Sequence, residues 1–158
     1  MDVIVDIADL RVSADPRTQL VTYSLGSCIG VAVYDPEIRV GGMIHYMLPE
    51  SGISPDKAKA NPAMFGDTGI PLLFRSLYEL GALKKRMVVK VAGGSSLLDD
   101  KGTFSIGKRN YVILRKLFWK NGVLIDAEDV GGSASRTLRL DLATGRVTIK
   151  SQMKEVEL

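Results

Sequence analysis

Two side chains in this sequence could act as a nucleophile and its base near neutral pH, and each occurs once: Cys28 and His45. A thiol attacks carbonyl carbon once a base has taken its proton, and an imidazole is the side chain best matched to that task at pH 7. Both lie in one stretch, Thr22 to Pro49, TYSLGSCIGVAVYDPEIRVGGMIHYMLP, among small and apolar residues. A lone cysteine also serves as a small buried hydrophobe, and a lone histidine as a satisfied structural residue. Local geometry has to separate these readings.

The elements around the pair read as strands. Gln19 to Leu25 alternates, with Val21, Tyr23 and Leu25 on one side and Leu20, Thr22 and Ser24 on the other. Gly26-Ser27-Cys28 breaks the pattern. Ile29 to Tyr34 is β-rich, with Ile29, Val31 and Val33 on one face; Asp35-Pro36 starts a turn, and Val40 to Met47 forms the next strand. Pairing 29–34 with 40–47 as a hairpin, with Tyr34 opposite Val40, puts Ile29 opposite His45 and Cys28 beside it, within a slip of one residue. The break at Gly26 and Ser27 exposes backbone N–H groups that could form an oxyanion hole. A third group is needed to orient the imidazole, and Thr22, Ser24, Asp35 and Glu50 are the candidates. A hairpin of 19–25 with 29–34 would put Thr22 opposite Ala32, far from His45. Thr22 reaches His45 only if its strand runs beside 40–47.

The rest of the chain must hold this stretch. Residues 3–5 and 10–13 read as short strands. Glu50 to Gly66 reads as a long polar loop, a length that tends to accompany function. A helix follows, capped by Asp67 or Thr68 with Pro71 in its first turn, carrying Ile70, Leu73, Leu77 and Leu80 at helical spacing and stopping at Gly81. Residues 87–92 form a strand running into Gly93-Gly94-Ser95-Ser96, read as a tight turn. A second helix runs from near Ser105 to Gly122, burying Leu114, Leu117 and Phe118. Asn110 shares that face, where it would make a structural hydrogen bond. Residues 123–130, 135–142 and 146–150 read as strands, and 151–158 as a frayed tail. The fold class expected is α+β: one layered domain over residues 1–158, mostly antiparallel, with two main helices.

Composition narrows the function. At 46% hydrophobic and 25% charged, the 158 residues suit a single globular core. The net charge of +3 is scattered and aromatics are only 6%, so no basic, aromatic-lined surface for nucleic acid is expected. One cysteine cannot make an internal disulfide, the N-terminus lacks a basic leader, and no apolar run is long enough to cross a bilayer; a cytoplasmic protein without membrane insertion is expected. Gly26-x-Cys28-x-Gly30 mimics a nucleophile elbow, but a strand follows where a helix should. One Cys and one His fall short of a zinc set, and Gly93-Gly94-Ser95-Ser96 lacks the lysine of a phosphate loop. Neither metal nor cofactor is expected.

The segments LGSCIGVAVYDP (25–36), GGMIHYMLP (41–49), KVAGGS (90–95), IGKRN (106–110), AEDVGG (127–132) and ATGRV (143–147) resemble the CheD family of chemoreceptor glutamine deamidases. The resemblance implies Cys28 as nucleophile, His45 as base and Thr22 as third member of a triad, in a layered α/β fold related to bacterial toxin deamidases. It implies hydrolysis of receptor glutamine side-chain amides to glutamate, tuning chemotaxis adaptation, with a possible methylesterase side activity. Methyl-accepting receptors are the implied substrates, and a CheC-type phosphatase of the response regulator an implied partner. The competing reading is an adaptor that binds receptors and CheC with little catalysis; a broader one is a cysteine amidase with another substrate.

Overall fold

The structure is a computed structural model that describes residues 1–96 and 105–158. Its strands are β1 (Asp2–Ile4), β2 (Asp9–Ser13), β3 (Gln19–Leu25), β4 (Ile29–Asp35), β5 (Val40–Tyr46), β6 (Val88–Gly93), β7 (Ala127–Val130), β8 (Arg136–Asp141), β9 (Val147–Ser151) and β10 (Lys154–Glu157). Its helices are α1 (Pro55–Ala60), α2 (Gly66–Glu79) and α3 (Ile106–Asn121). The strands form two sheets, β1-β3-β8-β9-β10 and β2-β5-β4-β6-β7. All neighbours are antiparallel except the parallel pairs β1–β3 and β6–β7. The expected α+β class holds.

Strand parity explains the layering. In β4 and β5 every residue is buried, as befits strands covered on both faces. Ile29, Val31, Val33, Ile44 and Tyr46 face the helices, packing with Leu73, Phe74 and Leu77 of α2 and Leu114 and Phe118 of α3. The alternate residues Ala32, Tyr34 and Met43 face the first sheet, meeting Leu20, Leu25, Leu138, Leu140 and Ile149. The order is sheet, sheet, helices, and the β2–β5–β4–β6–β7 sheet is the middle layer.

Several elements differ from the sequence reading. The 29–34/40–47 hairpin is shifted by one residue: Gly30, not Ile29, pairs with His45, and Asp35 pairs with Val40. The turn takes four residues, with Arg39 in the left-handed region at φ 54 and the Asp35 carboxylate accepting the Glu37 N–H. β3 carries a bulge between Thr22 and Leu25, with Ser24 at φ 59, so Leu25 turns inward on the same side as Leu20, while Tyr23 is exposed. Between residues 50 and 66 lie α1 and two 3-10 turns rather than an irregular loop. α2 starts at Gly66 without a side-chain cap; Asp67 instead accepts from the Ser51 N–H and hydroxyl. The strand expected over 123–130 is confined to β7. The tail expected to fray supplies β10, an exposed strand that pairs with β9.

Candidate active site

The shifted register matters because side chains alternate between faces. Paired residues share a face, so His45 points with Gly30 into the space between the sheets, and Cys28, two residues before Gly30, keeps that parity. In the register first expected, Cys28 would have shared the face of Tyr46, with His45 on the opposite side. Cys28 packs against the inter-sheet cluster. Gly30 keeps this layer thin: a Cβ there would come 2.9 Å from side-chain carbons of both Leu138 and Leu25.

Thr22 reaches His45 from the facing sheet. Its strand pairs with β1 and β8, not with β5. The expectation that the strand must run beside 40–47 is therefore corrected: the contact is face to face across the sandwich. Thr22 and His45 are both fully buried, and Thr22 Oγ1 lies 2.7 Å from His45 Nδ1. The same hydroxyl donates to the Val5 carbonyl at 2.6 Å. A hydroxyl has one hydrogen to give, so toward the ring Thr22 is the acceptor and Nδ1 carries the proton. Nε2 is then the bare, basic nitrogen, and it is buried with no partner among the described residues. Of the other candidates, Ser24 and Glu50 are exposed. Asp35 lies at the far end of β4, paired with Arg86 at 2.8 Å.

Burial favours neutral forms at both sites. It lowers the His45 pKa from 6.5 to about 4, against a small opposing pull from Asp6. It also raises the Cys28 thiol above its ordinary value, with the residue's own backbone N–H pulling partly the other way. Both groups rest neutral and no hydrogen bond joins them, in place of the thiolate–imidazolium pair that proximity alone suggests.

The 26–28 segment is held by its carbonyls. Ser95 N–H donates to Gly26 O and Gly94 N–H to Cys28 O, both at 2.8 Å. Asn110 Nδ2 donates to Ser27 O at 2.9 Å. The Gly93–Ser96 turn and the first turns of α3 therefore anchor the segment, contributions that the sequence reading missed for Gly94 and Ser95 and saw only as a structural bond for Asn110. The N–H of Gly26 turns back to Ser24 O, so it is not free as expected. Those of Ser27 and Cys28 have no oxygen acceptor among the described residues, and the Cys28 N–H acts only on its own thiol.

This arrangement offers a thiol, an unprotonated ring nitrogen of fixed tautomer and two N–H donors that no oxygen accepts among the described residues, the parts needed for acyl chemistry at an amide. Comparison with known proteins agrees with its type. A family described as CheD chemotactic sensory transduction matches residues 47–151. The chain belongs to the CheD family. That match begins just past His45, but similarity to whole relatives extends over the site. A probable chemoreceptor glutamine deamidase CheD 1 of Syntrophus aciditrophicus is 59% identical over 150 residues, covering 95% of this chain and 94% of the relative. The probable chemoreceptor glutamine deamidase CheD of Solibacter usitatus is 49% identical over 156 residues, 99% of this chain and 92% of its own. One from Anaeromyxobacter dehalogenans, CheD 2, is 52% identical over 149 residues, 94% of each. Among the described residues, no helix is long and apolar enough to cross a membrane.

Proposed function

We propose that this CheD-family protein deamidates glutamine side chains of chemoreceptors, with Cys28 as nucleophile, His45 as general base and acid, and Thr22 as the residue that orients the ring. The observation that carries the reading is the Val5–Thr22–His45 hydrogen-bond chain, which leaves Nε2 unprotonated between the sheets where Cys28 also faces. The relatives, each named a probable chemoreceptor glutamine deamidase, support the substrate class.

Sγ attacks the side-chain amide carbon as its proton passes to His45 Nε2. The carbonyl π pair moves to oxygen, where the N–H groups of Ser27 and Cys28 can receive it. The C–N bond then breaks, the proton on Nε2 goes to the leaving nitrogen, and ammonia departs from a thioester. Water attacks the thioester, giving a proton to Nε2; the sulfur leaves and recovers that proton, and glutamate is released. Coupling proton transfer to attack suits a site that holds both groups neutral at rest.

The test is mass spectrometry of a chemoreceptor cytoplasmic domain after incubation with the wild type or with Cys28→Ala. Glutamine-to-glutamate conversion by the wild type alone is expected. Conversion by Cys28→Ala as well would remove the nucleophile role. Binding without conversion by either would favour the adaptor reading.

A further inference from the structure

Asn110 does more than satisfy a helix. Its side-chain nitrogen spends one hydrogen on Ser27 O and the other on Met47 O, each at 2.9 Å. Met47 lies just beyond the end of β5, two residues after His45. One amide group therefore ties the segment carrying the thiol to the strand carrying the imidazole. Its own place is fixed, because Tyr46 Oη donates to the Asn110 carbonyl at 2.6 Å. Gly107, one turn earlier in α3, has no room for a side chain: a Cβ there would collide with the Ser95 carbonyl and come 2.7 Å from Gly94. The helix is thereby seated on the turn that holds Gly26 and Cys28. Asn110 is fully buried, and its Oδ1 has no partner among the described residues. An amide required only for packing would not need an oxygen left in that state.

The peptide unit supplies the functional link. In a trans peptide the C=O of one residue and the N–H of the next point in opposite directions, and the described chain contains no cis bond. Pulling Ser27 O toward Asn110 therefore aims the Cys28 N–H the other way. Ser95 does the same for the Ser27 N–H through Gly26 O. We infer that Asn110 is a positioning residue that orients the Cys28 N–H as the oxyanion donor and sets it in register with His45. The inference rests on the proposed acyl chemistry at Cys28 but goes beyond the triad.

The test uses the full chain and three readouts. A peptide with glutamate γ-semialdehyde in place of glutamine adds the Cys28 thiol across its C=O, forming an S–C bond and a tetrahedral oxygen that needs the donor. Alkylation by iodoacetamide passes through no such oxygen. Turnover on a receptor domain gives kcat and KM. In Asn110→Asp, oxygen replaces the donor nitrogen at the same size. The expectation is a fall of about 100-fold in kcat and in aldehyde affinity, the loss typical of a misdirected oxyanion donor. KM and the alkylation rate should stay within about threefold of wild type, a range too small to represent loss of such a donor. Should Asn110→Asp fail to fold, Asn110→Ala, which removes the donor without adding a charge, serves in its place. In the wild type the Cys28 amide proton should move downfield when the aldehyde binds, an observation needing no variant. The inference falls if either folded variant keeps kcat and aldehyde affinity, if alkylation drops in the same proportion, or if that resonance does not move. A wild type that binds the aldehyde yet leaves receptor glutamines intact would instead defeat the deamidase reading, while the aldehyde comparison would still decide the role of Asn110.

Discussion

Thr22 shows how one hydroxyl can choose a tautomer. Its hydrogen goes to Val5 O, so it can only accept from the ring, and the proton stays on Nδ1. Thr22→Val keeps the shape but leaves Nδ1–H facing a methyl group. The ring then gains by moving its proton to Nε2, where it could no longer take one from the thiol in the proposed reaction. We expect kcat to fall about 100-fold, the low end of general-base contributions, with KM little changed and Thr22→Ser close to wild type; steady-state kinetics of glutamate formation would check this. Thr22 was one of four candidates from the residues alone, because a hydroxyl's partners across a sandwich cannot be counted along the chain. Cys28 and His45, by contrast, were legible at once as the only residues of their kinds.

At the scale of elements, the site depends on turns and register more than on the strands themselves. The Gly93–Ser96 segment was read as a tight turn, which it is, but its use is specific: its N–H groups grip the carbonyls of Gly26 and Cys28. Gly93 sits at φ +109, and a Cβ there would collide with Cys28 O. Gly93→Ala combines backbone strain with overpacking, so we expect about 3 kcal/mol of lost stability. We also expect a drop in kcat as the segment carrying Cys28, the proposed nucleophile, shifts, and thermal unfolding run beside kinetics would separate the two effects. Alternation along β4 was readable because Ile29, Val31 and Val33 differ plainly from their neighbours. The one-residue slip was not, because the length of the Pro36–Arg39 turn depends on Arg39 adopting a left-handed conformation that its residue type does not announce. The same holds for the bulge at Ser24.

At the scale of the molecule, His45 lies between two sheets, and its burial links the site to acid stability. Unfolded, the imidazole titrates near 6.5; folded, it does so at about 4. Between these values the unfolded chain binds more protons, so stability falls as pH drops from 6.5 to 4, by about 3 kcal/mol in all. Denaturant titrations at a series of pH values should show this slope in the wild type and lose it in His45→Gln. A second loss follows at lower pH. Asp35 is buried, which alone would raise its pKa, but Arg86 and the N–H groups of Leu83 and Glu37 outweigh that and hold it below 3.8. Its contribution is present above 3.8 and disappears as pH falls through its folded value.

From the sequence alone came the α+β class, the two main helices, the strands that carry the site, the identities of Cys28 and His45, and the resemblance to a family that the comparisons then bore out. These follow from residue type and local periodicity, which act over a few neighbours. The tertiary structure alone decided that Cys28 and His45 share a face, that Thr22 meets His45 across the sandwich, that Val5 O sets the tautomer, and that Asn110 joins the two halves of the site. Each of these depends on a one-residue register or on contacts between residues far apart in the chain. A slip of one position reverses every side chain of a strand, while leaving its composition and its alternation unchanged.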